Sequence, residues 1–427
     1  MIDIKKVIKD FELMETNLAK RSSRLNLQGV IQKFEVVKSR KQKLEVLQKD
    51  ANAIADKVKR SDSTQVRTEL LERGLSVKAD VAQAKSEYDV AQAEFDSLLA
   101  ELPNWIAPEV PTGSSDEDNI VLREVGQAPV FDFSPLDHVD LGARLDVIDF
   151  EAGTKVAGSK FYFLKREAVL LQHAIKSYVF EKAMKAGFIP LQTPDICHNH
   201  ILEGVGFSPR GEESNTYLLD GLDKSLIATA EICVGGMHSG EILDAQQLPL
   251  LYVAESHCFR REAGAAGRSS KGLYRVHQFE KVELFVICDP DQSEVFHEKI
   301  LSLQEEIYSE LNIPYRVVLN CSGDLGAPAY KKYDLEAWMP GKGQSGEYGE
   351  ITSASNCTDY QARRLGIKFK NPNTKKNEYV HTLNGTASAL GRTMVAIFEN
   401  YQNPHGGVRV PTALQKYLDL DVIGPTQ

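Results

Sequence analysis

The sequence is poor in cysteine, and the cysteines that it has are widely spaced. Because no two of them form a CxxC pair, we expect reduced thiols rather than a disulfide framework, and no zinc site. The six are Cys197, Cys233, Cys258, Cys288, Cys321 and Cys357.

Long apolar runs are also lacking, and none approaches the ~20 residues that a membrane span requires. The first residues contain no stretch of signal-peptide length, and Asp3, Asp10 and Glu12 argue against a transit peptide. We therefore expect a soluble, cytoplasmic protein that does not bind membranes. An organellar matrix is the alternative if a presequence is missing.

Positive charge is in the minority, with 50 Lys and Arg against 60 Asp and Glu and a net charge of -10. An acidic chain is not an obvious nucleic-acid binder. Bulk charge bears on solubility, however, and a local basic surface can still hold phosphates. The length of 427 residues suggests two to three domains, at roughly 100–200 residues each.

Proline is absent from the first hundred residues, and glycine is almost absent. From Leu70 to Leu102 apolar residues recur at alternating steps of four and three, a coiled-coil pattern that only Gly74 interrupts. A similar but less regular pattern runs over residues 30–58, where Lys33 and Arg40 occupy seam positions. Since the break at 60–64 is short, we predict two antiparallel helices forming a hairpin roughly 50 Å long.

Two interpretations of this hairpin stay open at this point. It is either a dimerising coiled coil or packed helical domain, or it is a projecting arm that contacts a phosphate backbone. The basic residues that would suit such contact are Lys38, Arg40, Lys41, Lys43, Lys49, Lys57, Lys59 and Arg60. Runs of charge are usually only solvated faces, so these residues alone do not decide.

A second domain follows a stretch rich in Pro, Gly and Ser, which predicts a linker. The apolar patterns beyond it predict helices at 164–186, 292–311 and 391–402, and strands at 248–258, 274–288 and 315–320. Together they indicate an α+β domain built on an antiparallel sheet. We therefore predict an N-terminal helical domain over 1–104 with its arm at about 27–102, a linker over 105–118, and a second domain over 119–427.

The most informative stretch runs from Cys258 to Glu283. Apolar segments flank a loop that carries several glycines and basic residues, as in a long hairpin. Such a loop suits a flexible cover over a polyphosphate. Its residues are Arg260, Arg261, Gly264, Gly267, Arg268, Lys271, Gly272 and Arg275.

Three segments resemble the signature motifs of class II aminoacyl-tRNA synthetases. Residues 259–279 resemble motif 2, residues 383–402 resemble motif 3, and residues 187–194 resemble the weaker motif 1. The details are those of the seryl-tRNA synthetase family, as are the start Met1–Lys5, the hairpin, Thr229-Ala230-Glu231 and residues 350–364. A single motif would be weak evidence, but here the likeness runs in order along nearly the whole chain.

This resemblance implies a serine–tRNA ligase. Such an enzyme activates serine with ATP to seryl-adenylate and pyrophosphate, and then transfers the seryl group to the 3′ end of tRNA(Ser). Whether tRNA(Sec) is also charged stays open. The family further implies Mg²⁺, a homodimer formed through motif 1, and a tRNA-binding role for the hairpin.

Residue roles follow from the resemblance for each matching position. Arg260, Glu350 and Arg392 would be catalytic. The implied serine-binding residues are Thr229, Ala230, Glu231, Arg260, Glu283, Asn384 and Thr386. The implied ATP-binding residues are Arg260, Arg261, Glu262, Arg275, Val276, Phe279, Glu350, Ile351, Thr352, Ser353 and Arg392. Glu350 and Ser353 would hold Mg²⁺, a hard ion that prefers oxygen ligands.

Two other functions remain to be separated from this one. A non-catalytic relative should have lost Arg260, Glu350 or Arg392, all of which are present. An enzyme that loads an amino acid onto a carrier protein would lack the N-terminal arm. The sequence departs from many bacterial relatives at Ile232–Gly236, which resembles plant organellar members, and has Thr386 in place of Ser.

Overall fold

The computed structural model describes residues 2–208, 215–263 and 271–425. The chain divides into two compact units, Met1–Pro103 and Asn104–Gln427. Part of the loop predicted to cover a polyphosphate, including Gly264, Gly267 and Arg268, lies outside the described residues.

The first unit is helical. Its helices are α1 (Ile4–Lys9), α2 (Phe11–Lys20), α3 (Leu27–Arg60) and α4 (Thr64–Glu101). Asn26 caps α3, since its side chain accepts a hydrogen bond from the backbone N–H of Gly29. Ser61–Ser63 form the turn between α3 and α4, so the predicted pair of long helices joined by a short connection is confirmed.

An apolar seam with polar interruptions joins α3 and α4. The rings of Phe34 and Phe95 lie 5.5 Å apart, centroid to centroid. At the two basic seam positions, Lys33 forms an ion pair with Glu94 at 2.5 Å and Arg40 forms one with Glu87. The cations that interrupt the heptad pattern are therefore matched by carboxylates of the opposite helix, which also fixes the helices as antiparallel.

The second unit contains the remaining helices and strands. The helices are α5 (His138–Arg144), α6 (Phe150–Ala157), α7 (Glu167–Lys185), α8 (Asn199–Val205), α9 (Ala230–Met237), α10 (Ser293–Glu310), α11 (Tyr360–Leu365), α12 (Leu390–Asn400) and α13 (Thr412–Gln415). The strands are β1 (Ile120–Val125), β2 (Ile148–Asp149), β3 (Phe163–Leu164), β4 (Ile189–Gln192), β5 (Ile196–His198), β6 (Lys224–Leu226), β7 (Ile242–Leu243), β8 (Leu250–Phe259), β9 (Gln278–Cys288), β10 (Tyr315–Leu319), β11 (Lys331–Met339), β12 (Glu347–Asn356), β13 (Lys368–Lys370), β14 (Asn377–Tyr379), β15 (His381–Ala389), β16 (Val408–Arg409) and β17 (Val422–Ile423). In the described part of the chain, no helix has both the length and the apolar character needed to cross a bilayer.

An eight-stranded sheet organises this unit, in the order β1-β10-β11-β12-β15-β9-β8-β4. Every neighbouring pair is antiparallel except β4 and β8, which are parallel. Helices α7, α10 and α12 pack against the sheet. The predicted α+β class with an antiparallel sheet and flanking helices is confirmed.

Strand β9 shows how the sheet separates its core from its polar face. Val282, Leu284 and Val286 belong to the main hydrophobic core, whereas Lys281 and Glu283 line an open cleft. Alternate side chains of a strand point to opposite faces. One face of β9 is therefore apolar, while the other supplies polar groups at Lys281 and Glu283 and then continues into a second hydrophobic core through Phe285 and Ile287.

Asn104, which precedes the predicted linker, and the first residues of that linker pack within the second unit. The Asn104 side-chain amide donates to two backbone carbonyls at 2.8 and 2.9 Å. Ala107 and Val110 are buried in a small cluster with Leu325 and Ala329. The compact unit consequently starts at Asn104, before the linker bounds that composition indicates.

Candidate active site

The polar face of the sheet carries a cleft that collects nearly all of the predicted site residues. Contributions come from β9, β12 and β15, from the end of β8, and from the first residues of α9 and α12. The predicted residues that line the cleft are Thr229, Glu231, Arg260, Glu262, Arg275, Val276, Phe279, Glu283, Glu350, Ile351, Thr352, Ser353, Asn384, Thr386 and Arg392.

Two residues of the predicted set do not line the cleft. Ala230 is fully buried as the first residue of α9, where its methyl group can only pack. The Arg261 side chain is exposed, and its backbone N–H donates to the carbonyl of Asn215 at 2.9 Å. Both stand next to residues whose side chains do reach the cleft. The resemblance implied binding roles for Ala230 and Arg261 because they belong to the same motifs as these neighbours.

Glu231 is the centre of one half of the cleft. Its Oε1 accepts hydrogen bonds from the side-chain amides of Gln361 at 2.6 Å and Asn384 at 2.9 Å. Thr229 caps α9, because its hydroxyl oxygen accepts a bond from the Glu231 backbone N–H at 3.3 Å. The carboxylate is therefore held in one orientation beside a helix N-terminus.

Burial raises the pKa of Glu231 to about 7, and the nearby Glu283 carboxylate acts in the same direction. Gln361, Lys281 and Arg260 oppose this rise but do not cancel it. A cation that enters this half of the cleft would favour the ionised form, so Glu231 is suited to receive an ammonium group.

Lys281 belongs to the same half of the cleft, although sequence reasoning missed it. Its ammonium lies 2.5 Å from Glu283 Oε2 and donates to the Thr229 hydroxyl at 2.9 Å. The Thr386 hydroxyl donates to the same Glu283 oxygen at 3.3 Å. The signal in the sequence was the spacing of Phe279, Lys281 and Glu283, which places all three on one face of a strand.

Arg392 is the central residue of the other half of the cleft, which also contains Glu350 and Tyr274. Its guanidinium donates to the backbone carbonyl of Glu350 at 2.9 Å and lies 3.3 Å from the carboxylate of that residue. It also covers the ring of Tyr274 at 4.5 Å, within the range of a cation–π contact. Tyr274, a second residue that sequence reasoning missed, donates its hydroxyl to the Glu350 carbonyl at 3.1 Å.

The surroundings of Glu350 keep its carboxylate ionised. Burial alone would raise its pKa, but Arg392, Lys332 and Arg260 together hold the pKa well below its usual range. The side chain is still 43% exposed, so an ionised oxygen faces the cleft. Ser353, further along β12, adds a hydroxyl to the same lining.

The residues after β8 connect the two halves. The Arg260 guanidinium lies over the Phe279 ring at 5.2 Å. Glu262, with φ of 51°, forms an ion pair with Arg275 at 3.0 Å. His277 donates from Nδ1 to the Arg260 carbonyl at 3.0 Å, so it supports the backbone at Arg260 and does not line the cleft.

Two family models match the chain. Residues 1–106 match the seryl-tRNA synthetase N-terminal domain, and residues 219–401 match the tRNA synthetase class II core domain (G, H, P, S and T). A serine–tRNA ligase of Treponema denticola is 49% identical over 99% of this chain and 100% of its own length.

Solved structures give the same picture. The seryl-tRNA synthetase of Pyrococcus horikoshii, complexed with ATP, superposes with a TM-score of 0.89 at 39% identity and covers 100% of both chains. A cytoplasmic serine–tRNA ligase of Naegleria fowleri, in complex with AMP, gives a TM-score of 0.83 at 32% identity over 97% of this chain and 96% of its own.

Proposed function

The chain belongs to the seryl-tRNA synthetase family, and from that membership we infer that it is a ligase that joins serine to tRNA with ATP. The first step forms seryl-adenylate and releases pyrophosphate. The second transfers the seryl group to the 3′ end of tRNA(Ser). Whether tRNA(Sec) is also charged is a separate question, which a charging assay with that tRNA would answer.

The position of Arg260 is the observation that supports this assignment best. Arg260 lines the same cleft as Glu231 and Glu350, and its charge favours the ionised form of both carboxyls, although burial still raises the pKa of Glu231 to about 7. It therefore acts on both halves at once. We assign Arg260 to the serine carboxylate and the α-phosphate, the two groups that must meet in the first step.

The half of the cleft around Glu231 would bind serine. Glu231 and Thr229 receive the ammonium group, while Glu283 and Thr386 bond the hydroxyl and Asn384 lies beside them. Lys281 already holds Glu283 in place. Alanine, which lacks the hydroxyl, would remove water from Glu283 and Thr386 without forming the hydrogen bonds that serine offers them, and this loss disfavours alanine.

The half around Arg392 would bind ATP. Arg275 and Arg392 neutralise the outer phosphates, Phe279 stacks on the adenine ring, and Glu262 accepts from the adenine amino group. Val276, Ile351 and Thr352 complete the walls of the nucleotide site.

Glu350 and Ser353 fit the magnesium ion that the family implies. Both offer oxygen ligands from one strand to the same cleft, and the neighbouring cations keep the Glu350 carboxylate ionised. Mg²⁺ commonly uses one or two protein oxygens together with substrate phosphates. Once bound, it would add positive charge beside those phosphates.

No proton-abstracting residue is needed for the first step. The serine carboxylate is already an anion at neutral pH, and it attacks the α-phosphorus as pyrophosphate leaves. The protein then acts mainly by aligning the two groups and by stabilising the charge that develops. In the second step a ribose hydroxyl of the terminal adenosine, the 3′-hydroxyl in class II enzymes, attacks the adenylate carbonyl.

The N-terminal domain, residues 1–104, would bind tRNA through the hairpin at about 27–102. It contains none of the residues assigned to serine or ATP, and α3 bears many lysines. The catalytic domain would be residues 119–427, preceded by residues from Asn104 onward that belong to the same compact unit. We place the protein in the cytoplasm, with an organellar matrix as the alternative.

A homodimer formed through motif 1 is part of the proposal. Strand β4 lies at one end of the sheet order, so its outer edge is placed to meet another chain. Leu170 and Met184 on α7, the helix that precedes β4, and Ile189 on β4 are about half exposed, at 51%, 47% and 50%. Burial in a two-fold symmetric interface would remove this apolar surface from water.

Two assays on the same preparation test the function. Serine-dependent exchange of pyrophosphate into ATP reports the first step, and tRNA charging with each of the twenty amino acids reports the second. Exchange and charging with serine, without charging by alanine, is the expected result. Exchange without charging of any tRNA would favour an enzyme that loads a carrier protein, and the absence of both would favour a non-catalytic relative.

A further inference from the structure

A buried histidine lies directly behind the nucleotide half of the cleft. His138 is the first residue of α5 and only 6% of its side chain is exposed. Its Nδ1 lies 2.7 Å from Glu399 Oε1, on α12. Its Nε2 accepts a hydrogen bond from the backbone N–H of Leu273 at 3.1 Å. The imidazole thus joins α5 and α12 to the segment that leads into β9.

The hydrogen bonds of Glu399 fix the role of each imidazole nitrogen. Glu399 Oε1 also accepts from the His138 backbone N–H at 3.1 Å, and Oε2 accepts from Gly341 N–H at 2.8 Å. Because Leu273 donates to Nε2, that nitrogen carries no proton, and Nδ1 is therefore the donor to Glu399. The Glu399 side chain is only 2% exposed, so water has little access to replace its carboxylate as the acceptor of the Nδ1–H bond.

The short helical turn Gly272–Tyr274 is held against His138 at consecutive residues. Gly272 has φ of 62°, and a Cβ at this position would lie 2.1 Å from His138 Nε2. Only glycine permits so close an approach in that backbone conformation. Just before the turn, Lys271 forms an ion pair with Asp137, the capping residue of α5.

The same turn ends in a residue of the nucleotide site. Tyr274 offers its ring to the Arg392 guanidinium at 4.5 Å and its hydroxyl to the Glu350 carbonyl at 3.1 Å. Its backbone carbonyl accepts from Arg392 Nε at 3.3 Å. Tyr274 therefore touches Arg392 with both its ring and its backbone, and any displacement of the turn moves the surface on which Arg392 rests.

We propose that His138, fixed by Glu399, is a positioning residue for ATP: it anchors the turn Gly272–Tyr274, and so sets the place of Arg392 at the phosphates. The inference rests on the proposed function, because it assumes that Arg392 binds ATP. The hydrogen bonds of the His138 imidazole and of the Glu399 carboxylate go to each other, to the His138 backbone and to the backbone of Leu273 and Gly341, none of which is assigned to serine. A loss of the anchor should consequently weaken ATP binding and spare serine binding.

Two amide substitutions separate the two hydrogen bonds of the imidazole. In His138→Asn the amide reaches about as far as Nδ1, so it can still donate to Glu399 but cannot accept from Leu273. In His138→Gln the amide oxygen reaches the position of Nε2 and can accept from Leu273. Tyr401→Phe is the matched control. It removes the hydrogen bond from the Tyr401 hydroxyl to the Leu311 carbonyl at 2.6 Å, just after α12 and outside the cleft.

Steady-state pyrophosphate exchange by the full chain gives KM for ATP and for serine separately. We expect His138→Asn to raise KM for ATP about tenfold, roughly the effect of one hydrogen bond, and to leave KM for serine within about twofold. His138→Gln should recover most of that loss, and Tyr401→Phe should change neither constant. Thermal unfolding of each variant shows whether it is folded at the assay temperature.

The inference is overturned if His138→Asn leaves KM for ATP unchanged, raises both constants equally, or is matched by His138→Gln. Glu399→Gln is the second test if His138→Asn does not fold. The NH₂ group of the glutamine would face either the Gly341 backbone N–H or the donors of His138, so one hydrogen bond would be lost. We again expect KM for ATP to rise while KM for serine stays nearly unchanged. An unchanged KM for ATP in that variant also overturns it. Failure of the proposed function is recognised separately, since the unaltered protein would then show no serine-dependent exchange.

Discussion

Serine binding should depend on the ionisation of Glu231 in a pH range where few other carboxylates titrate. Burial raises the pKa of this carboxyl to about 7, whereas only its ionised form can pair with the serine ammonium. Protonation therefore competes with serine. For a pKa of about 7, the fraction of protein able to bind falls about tenfold between pH 8 and pH 6, and KM for serine should rise by roughly the same factor.

The assay is pyrophosphate exchange at saturating ATP, with KM for serine measured at half-unit steps of pH. Serine binding at pH 6 should also release a proton, because the ammonium favours the carboxylate form. Calorimetry in two buffers of different ionisation enthalpy would detect this release. KM for ATP serves as the internal reference, since Glu231 lies in the other half of the cleft.

Glu231→Gln is the matched variant. Its amide fills the same volume without titrating, so KM for serine should be raised at every pH but should no longer vary between pH 6 and pH 8. A flat profile in the unaltered protein would refute the argument. So would an unchanged slope in Glu231→Gln, because the titrating group would then lie elsewhere.

The remaining predictions concern the other parts of the chain. Arg260→Ala should lower serine-dependent pyrophosphate exchange by about 10³-fold. Arg260→Lys should be intermediate, because lysine keeps the charge but lacks the planar guanidinium that binds two oxygens at once. Exchange by Arg260→Ala within threefold of the unaltered protein would refute the role assigned to Arg260. Replacement of residues 27–102 by a short flexible linker should preserve exchange and abolish tRNA charging, and a parallel loss of both would mean that the hairpin supports the core. Light scattering should give a dimer at micromolar concentration, and a fully active monomer would contradict the motif 1 interface. Gly74→Ala should stabilise the hairpin by about 0.5–1 kcal/mol in thermal unfolding, because a Cβ there would lie 3.6 Å from Ile54, an ordinary contact.

Regular periodicity made the first unit the easiest part to predict. The seam residues determined α3 and α4 almost to their ends, and the polar break placed the turn. Lys33 and Arg40 looked like defects because their partners, Glu94 and Glu87, lie about fifty to sixty residues away in sequence. Only the paired helices reveal that these two positions are satisfied.

The central strands were harder to recognise because their buried positions are polar. In β11, Lys331 and Asp334 are buried at 7% and 5% exposure, and in β15 most residues are small or carry hydroxyl or amide groups. Lys331 forms ion pairs with glutamates, and Asp334 Oδ2 accepts from Asn320 and Lys332. Polar residues can therefore occupy buried positions here, and the expected alternation of apolar and polar residues is absent. The resemblance located motif 3 on β15 although the pattern did not predict that strand, whereas β11 lies in none of the resembling segments.

Residues that act through other residues left at most a weak signal in the sequence, since strand spacing placed Lys281 beside Phe279 and Glu283 but gave it no role. Lys281 and Tyr274 line the cleft, but a lone lysine or tyrosine usually has a structural or solvent-exposed role. His138 and Glu399 lie 261 positions apart. His138 stands outside every segment that resembles a motif, and Glu399 lies within the motif 3 segment, where the resemblance implied no role for it. Their relation depends on how α5, α12 and the turn at Gly272 come together, which is a property of the tertiary structure.

The tight connection between α3 and α4 restricts how the hairpin can change in length during evolution. With only Ser61–Ser63 between the helices, the residues that face each other are set by counting outward from the tip. One added residue rotates everything beyond it by about 100° and turns the seam toward solvent. Insertions should therefore occur in both helices at once and in steps of seven, so that homologous hairpins differ by discrete lengths of about 10 Å per heptad.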